Sequence, residues 1–379
     1  MDSDGPSSAC PSIRTATITS RPSSSSSAPP TSPSASDLPV STPSSNLFEI
    51  RQTPTAGRAV FAARDITEAT LLWRSTDITM NVLLREYRRE VCGQCFRYEY
   101  GRDLEIRDKG VGFAFCSQPC QDEWRTSHGS IGVEAWTAVE QLVKGRSKED
   151  SEMVDAELPR PKIQEIKEAW EAADAQASLI RIARGSDGVT KQHRKALSRA
   201  LAAPLNPDIL SFCLSGLLWH QRCPEQYPSL LALADDETPY HSTDDLAAFT
   251  RTYLHLVSVL PPELLPITTA GVLFTLSSRD SHNSFGIRSL EDDGSEFFGY
   301  GCWPAASYFN HSCAPNVEKR RVGRAWEFRS GKDVKCGEEL CITYLSGGER
   351  KLSRDKRMET LKKNWSFQCG CERCEPVLQ

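Results

Sequence analysis

Near its C-terminal end the chain reads NHSCAPN at residues 310–316, then GEELCITY at 337–344 and CGCERC at 369–374. The first stretch begins with an Asn-His pair directly after an apolar run. If this polar pair is buried, it needs hydrogen-bond partners. The second stretch ends an apolar segment with a single tyrosine. The third supplies three thiols, one fewer than structural zinc sites use. Their order and close spacing indicate one connected site.

The composition sets limits on the class of protein. A chain of 379 residues allows two or three domains, and 39% hydrophobic with 25% charged residues is ordinary for a globular protein. The net charge of −5 gives no reason to expect nucleic-acid binding. The short basic runs at 319–321 and 350–357 are typical of solvated faces, so direct nucleic-acid binding is not expected.

The lack of a membrane-spanning stretch and of a secretory signal points to an intracellular, reducing compartment, nuclear or cytoplasmic or both. No stretch approaches the roughly 18 apolar residues that cross a bilayer, and the N-terminus lacks the apolar core of a secretory signal. We therefore expect no membrane association. In a reducing compartment, the fourteen cysteines are better explained by metal binding than by disulfides.

The first group of cysteines consists of two close pairs, Cys92 with Cys95 and Cys116 with Cys120. Two short-spaced pairs that meet across a hairpin supply the four soft ligands that zinc binds as a tetrahedron. The alternative is a set of unrelated core cysteines, which this pairing disfavours. We predict one zinc ion on these four thiols.

The second group contains Cys369, Cys371 and Cys374 and needs a fourth ligand. Cys313, inside the 310–316 stretch, is the candidate. A zinc ion on these four thiols would attach the C-terminal segment to the segment around Cys313. The alternative is a cysteine-rich tail without metal.

The pattern along the chain predicts a β-rich fold that is interrupted by helices. Residues 1–46 are dominated by Ser, Pro, Thr and Ala and are predicted to form a disordered tail. Short apolar runs predict strands at both ends of the remaining chain, and i, i+3, i+4 spacing predicts helices between 133 and 276. The strands are predicted at 47–50, 60–63, 70–73, 285–287, 297–300, 325–328 and 340–345, and two helices at 247–260 and 349–363.

Together these motifs resemble the SET domain of protein-lysine methyltransferases in the SET and MYND (SMYD) family, in a short form that lacks its C-terminal helical domain. The segment FCSQPC at 115–120, with Trp124 and His128, resembles the second half of a MYND zinc finger. The middle cysteine pair of that finger is absent here. We therefore predict a degenerate finger with one zinc ion, in which His128 is a surface or packing residue.

The resemblance implies an α+β fold, a β-rich SET domain interrupted by a zinc-binding MYND-like insert and a helical insert, with a C-terminal post-SET zinc loop. The predicted domains are a disordered tail at 1–46, the N-terminal SET part at 47–91, the finger at 92–131, the helical insert at 132–276, the SET catalytic core at 277–345 and the post-SET helix and zinc loop at 346–379.

The resemblance also assigns roles to individual residues. Tyr344 and Phe285 are expected to be catalytic, since the matching tyrosine points its hydroxyl at the transferring methyl and the matching phenylalanine lines the lysine channel. Ala59 stands where the family motif has a second glycine, and Trp365 where close members have a tyrosine. The residues expected to bind S-adenosylmethionine (AdoMet) are Gly57, Arg58, Ala59, Asn310, His311, Tyr344 and Phe367.

The implied function is an AdoMet-dependent protein-lysine N-methyltransferase with two structural zinc ions. Its expected partner is a protein substrate with an accessible lysine, histone or non-histone, and the finger is a possible site for a further protein partner. The alternative is a non-catalytic AdoMet-binding scaffold or transcriptional regulator that acts through the MYND-like finger.

Overall fold

The structure is a computed structural model that describes residues 42–54, 56–144, 158–290 and 296–375. Most of the predicted disordered tail lies outside these residues. The chain divides into two compact units. We call Met1–Thr76 together with Ala305–Gln379 the terminal unit, and Asp77–Pro304 the central unit.

Ten strands and eight α-helices are present in the described residues. The strands are β1 Phe48–Thr53, β2 Gly57–Ala62, β3 Leu71–Ser75, β4 Asn81–Leu83, β5 Ile106–Asp108, β6 Phe113–Phe115, β7 Ser284–Arg288, β8 Phe297–Cys302, β9 Val317–Val322 and β10 Ala325–Ser330. The helices are α1 Gln118–Lys144, α2 Ile163–Arg184, α3 Lys191–Ala202, α4 Pro207–Arg222, α5 Tyr227–Leu231, α6 Thr243–Val259, α7 Ala270–Asn283 and α8 Arg354–Trp365.

The terminal unit is built on two small antiparallel sheets. Strands β1 and β2 form a hairpin, and β3, β10 and β9 form a sheet in that order. Side chains along β9 alternate between the interior and solvent, as a half-buried strand requires. Phe309 and Phe328 stack with ring centroids 4.5 Å apart, and Phe48 meets Phe309 edge-on. This aromatic group forms part of the unit's core.

The central unit combines helices with a second three-stranded sheet, in the order β4-β8-β7. Strand β8 approaches β4 closely at Gly299, which has a φ of 151°. A Cβ at this position would lie 2.0 Å from the carbonyl oxygen of Val82, so only glycine permits the pairing. No helix in the described part of the chain combines the length and apolar character needed to cross a bilayer.

Most of the predicted elements are confirmed. The helix predicted at 247–260 is α6, which the hydroxyl of Ser242 caps by accepting from the Asp245 amide. The helix predicted at 349–363 is a short 3₁₀ turn, Glu349–Lys351, followed by α8. The strands predicted before residue 75 and at 285–287, 297–300 and 325–328 correspond to β1, β2, β3, β7, β8 and β10.

The strand predicted at 340–345 is wrong. Successive amides of this segment donate to different parts of the unit, so no continuous ladder forms. The Leu340 amide donates to the Val60 carbonyl at 2.8 Å, and the Ile342 amide donates to the Asn310 carbonyl at 2.9 Å. The segment therefore lies between β2 and the 310–316 stretch, which explains how Tyr344 reaches the Asn-His pair.

A charged contact attaches the β5–β6 hairpin to helix α1. The buried carboxylate of Asp108, at the end of β5, accepts hydrogen bonds from Arg125 and Gln121 on α1, with donor distances of 3.1 Å. Burial alone would raise the pKa of Asp108, but these hydrogen bonds hold it below the ordinary value of 3.8. The hairpin is thus anchored to the helix by an ionised side chain.

The Asp108→Asn change should loosen this hairpin. A hydrogen bond to a charged group contributes about 1.5–3 kcal/mol to stability. The opening free energy of the β5 and β6 amides, measured by hydrogen exchange, should fall by that amount. Because the folded pKa is depressed, the Asp108 contribution is fully present above its unfolded pKa and is lost as the pH falls through the folded value. Asp103→Asn, which removes a more exposed partner of Arg107, is the control and should change protection little. Equal protection in the Asp108 variant and the wild type would contradict the prediction.

Candidate active site

Asn310 follows the 3₁₀ turn Ala306–Tyr308 in the terminal unit. Its side-chain nitrogen donates to the Arg58 carbonyl at 3.1 Å and to the Glu339 carboxylate at 3.0 Å. Both partners only accept, so they set the orientation of the amide. The amide oxygen remains an acceptor, and no described residue donates to it.

The imidazole of His311 joins two distant segments. Its Nδ1 accepts from the Tyr344 backbone amide at 2.9 Å, which places the proton on Nε2. Nε2 lies 3.3 Å from the sulfur of Cys313. Burial, together with the positive charges of Lys319 and Arg357, lowers the pKa of His311 to about 4. The ring is therefore neutral at pH 7.

Tyr344 lies among aromatic rings. Its hydroxyl donates to the Phe309 carbonyl at 3.2 Å. Its ring centroid is 5.3 Å from that of His311, 5.5 Å from Trp365 and 6.2 Å from Phe367. Burial raises the pKa of Tyr344, so the side chain remains a phenol at neutral pH. Tyr344, His311 and Phe367, predicted as site residues, are thus brought together with Trp365.

Gly57, Arg58 and Ala59 lie at the start of β2 in the same unit. The Arg58 backbone carbonyl contacts Asn310, while its guanidinium lies 4.4 Å from the Tyr308 ring and donates to the Tyr308 hydroxyl at 2.7 Å. The Ala59 methyl is fully buried, so the side chain that replaces the expected glycine belongs to the core.

Phe285 is the predicted site residue that lies in the central unit. It sits on β7, is 8% exposed and meets Trp303 edge-on at 6.3 Å. Its role in a lysine channel stays a prediction.

Among the described residues, two groups of four thiols could hold a metal ion, and in each the sulfur atoms all lie within 4.8 Å of one another. In a zinc tetrahedron with bonds of about 2.3 Å, sulfur atoms are about 3.8 Å apart. The measured separations fit, at 3.5 and 3.6 Å from Cys116 to two of its neighbours and 3.5 Å from Cys374 to Cys313. The quartets are Cys92, Cys95, Cys116 and Cys120 in the central unit, and Cys313, Cys369, Cys371 and Cys374 in the terminal unit.

The predicted packing role of His128 agrees with its contacts. The imidazole stacks on Trp124 with centroids 4.0 Å apart, and its Nδ1 lies 2.7 Å from the Trp124 carbonyl oxygen. It belongs to neither of the thiol quartets found among the described residues.

The sequence did not single out two residues of the terminal unit. Glu339 orients Asn310. It lies inside the 337–344 motif, so its role could have been predicted from the sequence. Arg357 belongs to the 350–357 basic run, for which a solvated face was expected. That expectation is wrong for Arg357, which is 4% exposed and contacts the thiol of Cys374. No periodicity in so charged a segment could show this burial.

Comparison with known proteins places these features in a family. The SET domain model matches residues 57–345. The potential protein lysine methyltransferase SET6 of Saccharomyces cerevisiae is 27% identical over 379 aligned residues, which cover 88% of this chain and 96% of that protein.

Two further relatives match over shorter regions. The histone-lysine N-methyltransferase ASHR2 of Arabidopsis thaliana is 31% identical and half of each chain is aligned. The histone-lysine N-methyltransferase SMYD3 of Homo sapiens is 32% identical over 34% of this chain and 27% of that protein. Since the family model covers well over half of the residues, the resemblance predicted from the motifs is confirmed, and this chain belongs to the SET domain family.

Proposed function

We propose that this protein is an AdoMet-dependent protein-lysine N-methyltransferase. The observation that carries the proposal is the convergence of Asn310, His311 and Tyr344, from separate segments of the SET-matched region, into one group in the terminal unit. The methyltransferase names of the relatives support the same activity. The substrate is a lysine of a protein, histone or non-histone.

The residues fit the cofactor by their chemistry. When bound, AdoMet supplies an electrophilic methyl group on a positively charged sulfur. The amide oxygen of Asn310, to which no described residue donates, is an acceptor suited to an ammonium or amino group. Glu339 adds negative charge beside that oxygen, which favours a cationic ligand. The Phe367 ring offers a flat surface for a purine.

Tyr344 has the properties that methyl transfer to an amine requires. A lysine amine has a pKa of about 10.4 in water and attacks only when neutral. An aromatic surround removes water from the amine and lowers that pKa. The Tyr344 hydroxyl donates to the Phe309 carbonyl, so its oxygen lone pairs remain to orient an incoming group. Positioning of this kind contributes roughly 7–11 kcal/mol in favourable systems.

The two thiol quartets are proposed as structural zinc sites. Four thiolates complete the coordination of zinc and leave no open position for catalysis. On Cys313, Cys369, Cys371 and Cys374, zinc would attach the segment that carries Trp365 and Phe367 to the 310–316 stretch. The quartet in the central unit is proposed as the single site of a degenerate MYND-like finger over 92–131.

The finer organisation is part of the same proposal. It comprises an N-terminal SET part at 47–91, a helical insert at 132–276, a catalytic core at 277–345 and a post-SET region at 346–379.

We propose an intracellular protein, nuclear or cytoplasmic or both, whose finger offers a site for a protein partner. A non-catalytic scaffold is the alternative, and transfer of labelled methyl groups from AdoMet to histones or lysate proteins separates the two.

The metal content tests the zinc proposal. We expect two zinc ions per chain by native mass spectrometry. Cys374→Ser should release one of them and weaken AdoMet binding, because the segment bearing Phe367 loses its attachment. Cys223→Ser, outside both quartets, should retain two. A third zinc ion in the wild type would contradict the single-site finger.

Asn310→Ala tests the cofactor site. Removal of a polar partner from a buried contact should weaken AdoMet binding about tenfold or more in calorimetry, with the fold unchanged by circular dichroism. Asn364→Ala, on the exposed face of α8, is the control. Unchanged affinity in a folded Asn310 variant would remove this residue from the site.

Tyr344→Phe separates an enzyme from a scaffold. The change deletes one oxygen and keeps the ring, so AdoMet should still bind. Turnover should fall about a hundredfold or more, the scale of one lost transition-state contact, with cofactor affinity retained. Tyr100→Phe, at a largely exposed ring, should leave turnover unchanged. A Tyr344 variant with near wild-type turnover would exclude the catalytic role.

A further inference from the structure

Helix α8 contains a buried arginine that has no carboxylate partner in the part of the chain that the structure describes. Arg357 is 4% exposed, although the residues around it on the helix are mostly exposed. Its guanidinium donates to the carbonyl oxygens of Leu352 at 2.8 Å and Arg373 at 3.2 Å. Both acceptors are neutral, and no carboxylate among the described residues forms an ion pair with it. A buried cation requires a counter-charge, because its desolvation is otherwise not compensated.

The available counter-charge is the thiol quartet of the terminal unit. The guanidinium nitrogen lies 3.7 Å from the sulfur of Cys374, which in turn lies 3.5 Å from the sulfur of Cys313. Neutral thiols would not balance a guanidinium. Four thiolates around Zn²⁺ carry a net charge of −2, so a cation beside them satisfies both groups.

The second quartet is different. The described residues place no guanidinium or ammonium group in hydrogen-bonding contact with Cys92, Cys95, Cys116 or Cys120. The described residues thus contain two groups of four cysteine thiols that differ in their surroundings. Outer residues of this kind commonly change metal affinity.

We infer that Arg357 is the counter-cation of the metal centre formed by Cys313, Cys369, Cys371 and Cys374, which it contacts through the sulfur of Cys374. This inference rests on the proposed zinc loading of that quartet. Arg357 is a positioning residue, and its effect extends to the active site because Cys313 also contacts the imidazole of His311. The other quartet does not depend on Arg357.

The test measures zinc release to a chromophoric chelator from the full-length protein. Arg357→Met should weaken binding of one zinc ion by about 10–100-fold and speed its release, while the second ion is released at the wild-type rate. Arg357→Lys, which keeps the positive charge, should retain most of the affinity. Arg354→Met is the matched control: it lies on the same helix and donates to the Cys374 carbonyl at 2.7 Å, but contacts no thiol. Its zinc release should be unchanged.

A spectroscopic readout keeps the inference falsifiable if Arg357→Met does not fold. With cobalt in place of zinc, the thiolate-to-metal absorption should shift in Arg357→Lys, because the donor to sulfur changes, and should not shift in Arg354→Met. If both Arg357 variants released zinc at the wild-type rate and had the wild-type cobalt absorption, the inference would be overturned. Equal zinc loss in the Lys and Met variants would overturn the charge role. A wild-type protein from which Cys374→Ser removes no zinc would overturn the underlying metal proposal.

Discussion

The terminal unit depends on the two hydrogen bonds of one imidazole. His311 accepts from the backbone amide of Tyr344 and faces the sulfur of Cys313 through its other nitrogen. The first contact fixes the tautomer, and the second then provides a donor to a thiolate. One neutral ring therefore holds the predicted catalytic tyrosine at a set distance from a predicted metal ligand. A metal ion on this quartet would be connected to the candidate active site through His311.

Around this ring, short contacts between distant segments replace regular secondary structure. Residues 339–344 bond in turn to β2 and to the 310–316 stretch, which places Glu339 beside Asn310 and Tyr344 beside His311. The terminal unit itself is formed from both ends of the chain. The entropic cost of bringing the two ends of a loop together rises only slowly with the length of the loop. A long region between the two parts of the unit is therefore tolerated. The arrangement explains why residues from such different positions form one site.

Each of the two units contains a buried charged side chain that attaches one segment of that unit to another. In the central unit, Asp108 attaches the β5–β6 hairpin to α1 through Arg125. In the terminal unit, Arg357 lies against a thiol quartet. Asp108 has an oppositely charged partner, and Arg357 lies against thiols that would carry negative charge if they bound a metal ion. An opposite charge offsets part of the free energy that burial of an ion costs.

The sequence by itself determined the family, both cysteine quartets and most strands, because thiol spacing, the Asn-His pair and apolar alternation are local patterns. Tertiary structure alone decided the rest. Residues 340–345 have the composition of a strand, but their amides bond to separate segments, so no ladder forms. Arg357 lies in a basic run that predicts solvent exposure, yet it is buried against Cys374. The orientation of Asn310 depends on Glu339 and the Arg58 carbonyl. These features arise from contacts between residues far apart in the chain, and local periodicity does not predict such contacts.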